Sequence, residues 1–281
     1  MGNKDLTEKI LEDYNDVFAD IVNVLLFNGE RKVKEQDLEN MSVHSQYKAS
    51  DDTLHEEERD VAKFWNNYNI RIALVGIENQ TIPEKQMPLR IYGYEGASYR
   101  EQLGNKNLYP VVTLVLYFGT DKRWSYAKTL KELIEVPNYL DDFVNDIKIN
   151  VFEIAWLSDD VIEKFTSDFK IVARFFADKR KYTDYIPKDK TTIKHVDAVL
   201  KLLSAMTKDK RYESVLSDGK EVETMCEVAE KLEQKGKTEG KAEGKAEIIK
   251  NMIKDGMAIE KIAQLANVEI SLVQELKEKS E

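Results

Sequence analysis

Residues 109–119, YPVVTLVLYFG, constrain the fold most. The run is continuously apolar, rich in β-branched residues, and bounded by Pro110 and Gly119. A strand with one wet face alternates apolar and polar residues, whereas an unbroken run suits a central strand covered on both faces. Such a strand needs helices on both sides, which places the chain in the α/β class. INVFEIAWL (149–157) reads as a second strand, with SDDVIEKF opening a helix behind Ser158 as its N-cap. Upstream, RDVAKFW (59–65) and IRIALVGIENQ (70–80) flank the turn-like NNYN and read as a β-hairpin. A helix over 56–66 is the rival reading. Pro88 suits the first turn of a helix, LRIYGYEGASYREQL continues with helical spacing to Leu103, and Gly104 ends it.

Outside this centre the patterns are helical or weak. Leu6, Ile10, Tyr14, Val17, Ile21 and Leu25 recur every three or four residues, so 5–28 reads as an amphipathic helix stopped by Asn28-Gly29. Residues 30–59 are polar and weakly patterned, a loop with short elements. From about 160 onward helices dominate, clearest at 191–205, 219–235 and 245–279. Between the last two lies GKTEGKAEGKAE (236–247), a tetrad repeat. At 100° per residue, a four-residue period lays Gly, Lys, Thr/Ala and Glu in four slowly drifting stripes. Like charges four apart and helical glycines each weaken a lone helix, the glycines by roughly 1 kcal/mol each. The repeat therefore reads as a self-association helix, with a flexible linker as the alternative. The end of the chain, 248–279, has the spacing of a helix-turn-helix. Glu275 and Glu278 beside Lys277 and Lys279 match a phosphate-lined groove poorly, so a small protein–protein module is the better reading.

The 281 residues are 42 % hydrophobic and 33 % charged, enough to bury a core in a soluble protein. A single cysteine, Cys226, excludes an internal disulfide. With a polar stretch at Met1–Asp5 and no membrane-length apolar run, the chain is expected in a reducing cytoplasm. The net charge of −10 argues against broad nucleic-acid binding but leaves room for a local basic patch. Lys170, Arg174, Lys179, Arg180, Lys181, Lys188, Lys190 and Lys194 form one candidate, with a solvated surface as the plainer reading. His44, His55 and His195 show no metal-ligand spacing, and Trp65, Trp124 and Trp156 read as core.

The strand 70–80 ends oddly, on an acid and an amide two apart. Residues i and i+2 of a strand face one way, so Glu78 and Gln80 project together. If 59–65 pairs antiparallel with 70–80, Asp60 lies near Glu78 at the same end of the hairpin. Two acids on neighbouring strands, with backbone carbonyls, make a hard oxygen site suited to Mg²⁺ or Mn²⁺. Gln80 would orient water or a phosphate oxygen. Arg90 and Tyr94, one helical turn apart, could hold a DNA backbone. Strand-end solvation explains the same acids equally simply.

RDVAKFW…IALVGIENQT…MPLRIYGYEGASYREQL, followed by YPVVTLVLYFG and the GKxEG tail, resembles the Rpn family. These recombination-promoting nucleases, often labelled putative transposases, belong to the PD-(D/E)XK superfamily. The resemblance runs from the first helix to the C-terminus and is most specific over 75–103. It implies a restriction-endonuclease-like core, a mixed central sheet flanked by helices, over 1–190. A helical extension over 191–235 and the repeat helix with a small helical module over 236–281 would follow. It matches Asp60 to the first acid, Glu78 to the second, and Gln80 to the position usually held by lysine. RD stands where the superfamily has Pro-Asp. With a neutral Gln80, positive charge must come from elsewhere, with Lys63 and Lys85 as candidates, and Asp20 could be an auxiliary acid. The implied activity is Mg²⁺-dependent DNA cleavage linked to recombination or to defence against mobile DNA, in a homo-oligomer with no membrane association. The alternative is a nuclease-fold protein that binds DNA or assembles without cleaving it.

Overall fold

The structure, a computed structural model, describes residues 10–41, 44–48, 54–58, 60–67, 70–182, 185–217 and 222–278. The chain forms two compact units, Met1–Met225 and Cys226–Glu281. The first holds a five-stranded mixed sheet. Its strands are β1 (Leu38–Asn40), β4 (Val61–Asn67), β5 (Ile70–Gln80), β6 (Val111–Tyr117) and β7 (Asn150–Glu153), paired in the order β1-β4-β5-β6-β7. A separate antiparallel pair, β2 (His44–Lys48) and β3 (Leu54–Glu58), occupies part of the stretch expected to be loop.

β4 and β5 form the expected hairpin, antiparallel with Val61 opposite Ile77 and Lys63 opposite Val75. The rival helix over 56–66 is absent; Arg59 and the turn residues 68–69 lie outside the described residues. β5 pairs parallel with β6, and β6 with β7. Parallel neighbours require a crossover, and α2 (Met87–Arg100) supplies it between β5 and β6. Pro88 sits in its first turn, and Gly104, at φ +88°, lies in the turn beyond its end. The long apolar run is the buried strand it resembled: Leu114, Val115 and Leu116 are fully buried.

Strand alternation sorts the side chains of β5 between two layers. On one face Glu78 and Gln80 stand level with Val115 and Tyr117 of β6. Met87, Ile91 and Tyr94 of α2 pack there against Val115, Tyr117, Trp124 and Ile149. On the other face lie Ile77 and Asn79, with Lys63 beside the Phe18 ring of α1 (Asn15–Phe27).

Several expected boundaries move, each for a local reason. The helix over 5–28 is a 3-10 turn (Leu11–Asp13) followed by α1, broken at Tyr14, which is extended and stacks on His195 at 3.7 Å. Residues 5–9 lie outside the description. The strand from 149 ends at Glu153 and gives way to a 3-10 turn, Ile154–Trp156. α3 (Leu130–Leu133) lies between β6 and β7, and Thr129 caps it. Ser158 precedes α4 (Asp159–Ile162), but its side chain makes no capping hydrogen bond. α5 (Phe169–Lys181) follows. The helix expected over 191–205 becomes α6 (Val196–Thr207), because Asp168 binds the backbone N–H groups of Lys194 and His195 in an extended segment. α6 and α7 (Arg211–Ser217) belong to the first unit, so no boundary falls at 190.

Half of the basic residues in the stretch 170–194 are paired with acids of the same surface. Lys170 pairs with Glu163, Arg174 with Asp159 and Glu163, Lys181 with Asp159, and Lys194 with Asp16.

The tetrad repeat runs through one continuous helix, α8 (Met225–Lys254), so the flexible-linker alternative fails and 235/236 is no boundary. Residues 236–245 are exposed along it. Both flanks support this weak centre: Glu233 pairs with Lys237, and Lys245 donates to the carbonyl of Asn267. Beyond the Asp255-Gly256 turn, α9 (Ile259–Ala266) and α10 (Ile270–Glu278) close a small core of Ile249, Ile262, Ala263 and Val273. No helix among the described residues is long and apolar enough to cross a membrane.

Candidate active site

The last pair of the β4–β5 ladder is Val61 with Ile77, and continuing that register by one residue sets Asp60, in the bend just before β4, level with Glu78. Asp60 locks this end of the ladder by accepting the backbone N–H of Asn79 at 2.6 Å through Oδ2. Glu78 is only 2 % exposed. Its Oε1 accepts from the Gln80 amide at 2.9 Å and from Arg90 Nη2, also at 2.9 Å. Its Oε2 is buried with no hydrogen-bond partner. Asp60 lies within electrostatic reach of Glu78 and Arg90, and Arg90, expected to face a DNA backbone, turns inward to Glu78.

Tyr94 departs from expectation. It is 3 % exposed, packed in the core under α2, and its hydroxyl accepts from Arg90 Nε at 2.6 Å. A DNA backbone cannot reach it; it holds Arg90. Glu84 receives Arg90 Nη1 at 3.2 Å. Each nitrogen of the guanidinium is thus directed at a protein oxygen.

Lys63 is corrected as well. It lies three residues from Asp60 and so points to the opposite face of the sheet. There it is fully buried, with Nζ bonded to the Asp13 carbonyl at 2.8 Å and to Asn40. Asp20 sits elsewhere in the fold. Its carboxylate accepts from Arg31, from the backbone N–H groups of Thr166 and Ser167, and from the Ser167 hydroxyl. It ties α1 to the segment before α5 and has no oxygen to spare. Lys85 is exposed in the turn before α2.

Glu12 was not foreseen. It is fully buried in the 3-10 turn, with Oε1 accepting from the Asn79 side chain at 3.1 Å and Oε2 unpartnered. Asn79 Oδ1 is a further buried oxygen without a partner. Asp60 and Asn79 also line a cavity of about 360 Å³ together with Ile10, Lys201 and Leu202.

The electrostatics follow from this crowding. Burial raises Glu78 from 4.5 to about 7; the nearby Asp60 adds to the rise and Arg90 opposes it. Burial likewise raises Glu12 to about 7, again with a contribution from Asp60. Asp60 is raised by desolvation of its carboxyl, although part of the residue meets solvent. Glu12 and Glu78 each keep one buried oxygen without a partner, and each is raised further by the charge of Asp60, an environment that a cation would relieve.

The donors fit a hard divalent ion in part. Among the described residues no group of three or more His, Cys, Asp or Glu is placed to hold a metal. Asp60 and Glu78 would supply two carboxylates, the usual protein share for Mg²⁺, which keeps several waters.

Residues 37–212 match the profile of the family described as "Putative transposase, YhgA-like". The chain belongs to that family. The match spans the whole sheet, so the likeness to Rpn putative transposases of the PD-(D/E)XK group extends from the 75–103 motif to the architecture. No curated protein and no solved structure matches the chain. In this YhgA-like member the α/β nuclease-like core carries Asp60 and Glu78 at one end of the β4–β5 ladder.

Glu12 and Glu78 have folded-state values above their ordinary 4.5. The stability tied to their protonated forms is full below about pH 4.5 and is lost as pH rises towards about 7. Glu12→Gln, an amide in place of the protonated acid, should therefore stabilise the metal-free protein by about 1–3 kcal/mol at about pH 8 and hardly at all near pH 4. Urea unfolding at the two pH values checks this; an equal effect at both contradicts it.

Proposed function

We propose that the chain is a divalent-metal-dependent DNA endonuclease that hydrolyses phosphodiester bonds. The observation that supports this best is the β4–β5 register, which sets Asp60 opposite a buried Glu78 whose Oε2 has no partner. Asp60 and Glu78 would hold Mg²⁺ or Mn²⁺, which supplies a polarised phosphoryl oxygen and a more acidic water. Gln80, fixed by Glu78 and half-buried beside the sheet, would orient the attacking water. Asp60 also holds the Asn79 backbone, so its role joins ligand and clamp. The YhgA-like family supports a link to the movement or breakage of DNA, and the resemblance to Rpn proteins narrows this to recombination or to defence against mobile DNA. The bacterial cytoplasm is the compartment in which such a substrate would be met.

A second reading is favoured by one observation. Gln80 is neutral, and Arg90 already neutralises Glu78 without a metal. A nuclease fold so balanced could bind DNA or serve assembly without cleaving.

Plasmid nicking separates the two. Asp60→Asn and Glu78→Gln should each lower Mg²⁺-dependent nicking by more than roughly 10²-fold, beyond the usual effect of outer-shell changes at a metal site. Parent-level nicking in both variants would remove the assigned site, and a parent that nicks no DNA would leave the second reading.

Assembly is proposed to run through α8. Its Gly236, Gly240 and Gly244 have open space where a Cβ would stand, which permits close backbone approach by a second copy. Truncation after about residue 235 should lower the number of copies per particle measured by light scattering; an unchanged copy number removes this assignment.

A further inference from the structure

We propose that Arg90 is the catalytic cation of this site, carrying the positive charge that Gln80 lacks, and that it meets the negative charge that builds on the scissile phosphate in the transition state. The inference rests on the nuclease reading above and deepens it. Phosphodiester cleavage builds negative charge on the non-bridging oxygens, and a site without a cation there forfeits its largest electrostatic stabilisation. A neutral amide cannot supply it.

The other basic candidates near the acids fail on position. Lys63 is buried on the opposite face of the sheet, committed to the Asp13 carbonyl and Asn40. Lys85 is exposed in the turn before α2. Lys201, beside the cavity that Asp60 lines, pairs with Asp197 at 2.8 Å.

Arg90 meets the requirement from three directions. Its Nη2 and the Gln80 amide converge on Oε1 of Glu78, each at 2.9 Å, so a single carboxylate presents the guanidinium on one oxygen and leaves Oε2 open. Glu78 would keep Oε2 for a metal while its Oε1 holds the guanidinium, so one carboxylate would serve both positive charges. Second, Tyr94 and Glu84 fix the plane of the guanidinium through Nε and Nη1, while a third of the side chain stays exposed. Third, Arg90 is the fourth residue of α2, in the first turn, where the helix macrodipole disfavours a cation. A placement that works against the helix, held by a buried acid and a core tyrosine, is that of a positioned charge rather than a swinging surface arm.

This role differs measurably from that of a backbone anchor. An anchor loses DNA affinity when removed; a transition-state cation loses turnover. The test compares the full-length parent, Asp60→Asn, Arg90→Lys and Arg90→Ala in Mg²⁺-dependent nicking, with and without millimolar guanidinium. Duplex affinity is measured separately by fluorescence anisotropy in EDTA. Arg90→Ala should lower kcat by roughly 10²- to 10³-fold, as removal of one oxyanion donor does. Guanidinium should restore part of the rate, which also shows that the variant is folded. Arg90→Lys should fall between Ala and the parent, and affinity in EDTA should stay within about threefold, well short of the loss expected from a removed phosphate contact.

Parent-like nicking by Arg90→Ala, while Asp60→Asn is inactive, overturns the assignment and leaves the nuclease reading standing. So does a loss in Arg90→Ala that appears only in affinity, or one that guanidinium does not restore. A parent that nicks no DNA overturns both.

Discussion

Pairing of Val61 with Ile77 places Asp60 opposite Glu78, and the geometry of the candidate site descends from that one register. A slip of one residue would send every β5 side chain to the other face of the sheet. Glu78 would then point towards α1 and Asn79 towards α2. Two features resist such a slip: Asp60 clamps the Asn79 N–H at the end of the ladder, and Lys63 is pinned under α1. The long apolar β6 fixes β5 from its other side, with Glu78 level with Val115.

Once the register is set, burial does the rest. Acids held in a poorly solvated place keep their protons to higher pH, and oxygens without partners remain costly. Arg90 relieves Glu78 on one oxygen only. Glu12, on the α1 side, has no such counter-ion among its recorded contacts and shares the unease through Asp60. The fold thus spends stability on a cluster that favours positive charge, a pattern common at functional sites.

Much of this was legible in the sequence because it is local. The hairpin, the buried β6 and the α2 crossover follow from period, Pro88 and the bounding glycine. The opposition of Asp60 and Glu78 follows from the hairpin alone. Even the exclusion of Lys63 was available, since a residue three along a strand faces away from the first. The non-local features were hidden. Glu12 carries no local signal; its partner is Asn79, 67 residues away. Asp20 looked free until Thr166 and Ser167, about 146 residues distant, claimed its carboxylate. Arg90 and Tyr94 have the spacing of a surface pair, and only the packing of α2 on β6 turns them into a positioned cation and its support.

The central claim is that Asp60 and Glu78 share one divalent ion. Crystals soaked in Mn²⁺ and measured at the manganese absorption edge test it most directly. The proposed site requires one anomalous peak within roughly 2.0–2.4 Å of an oxygen of each carboxylate. A peak elsewhere, or none while the same protein cleaves DNA in Mn²⁺, would contradict it.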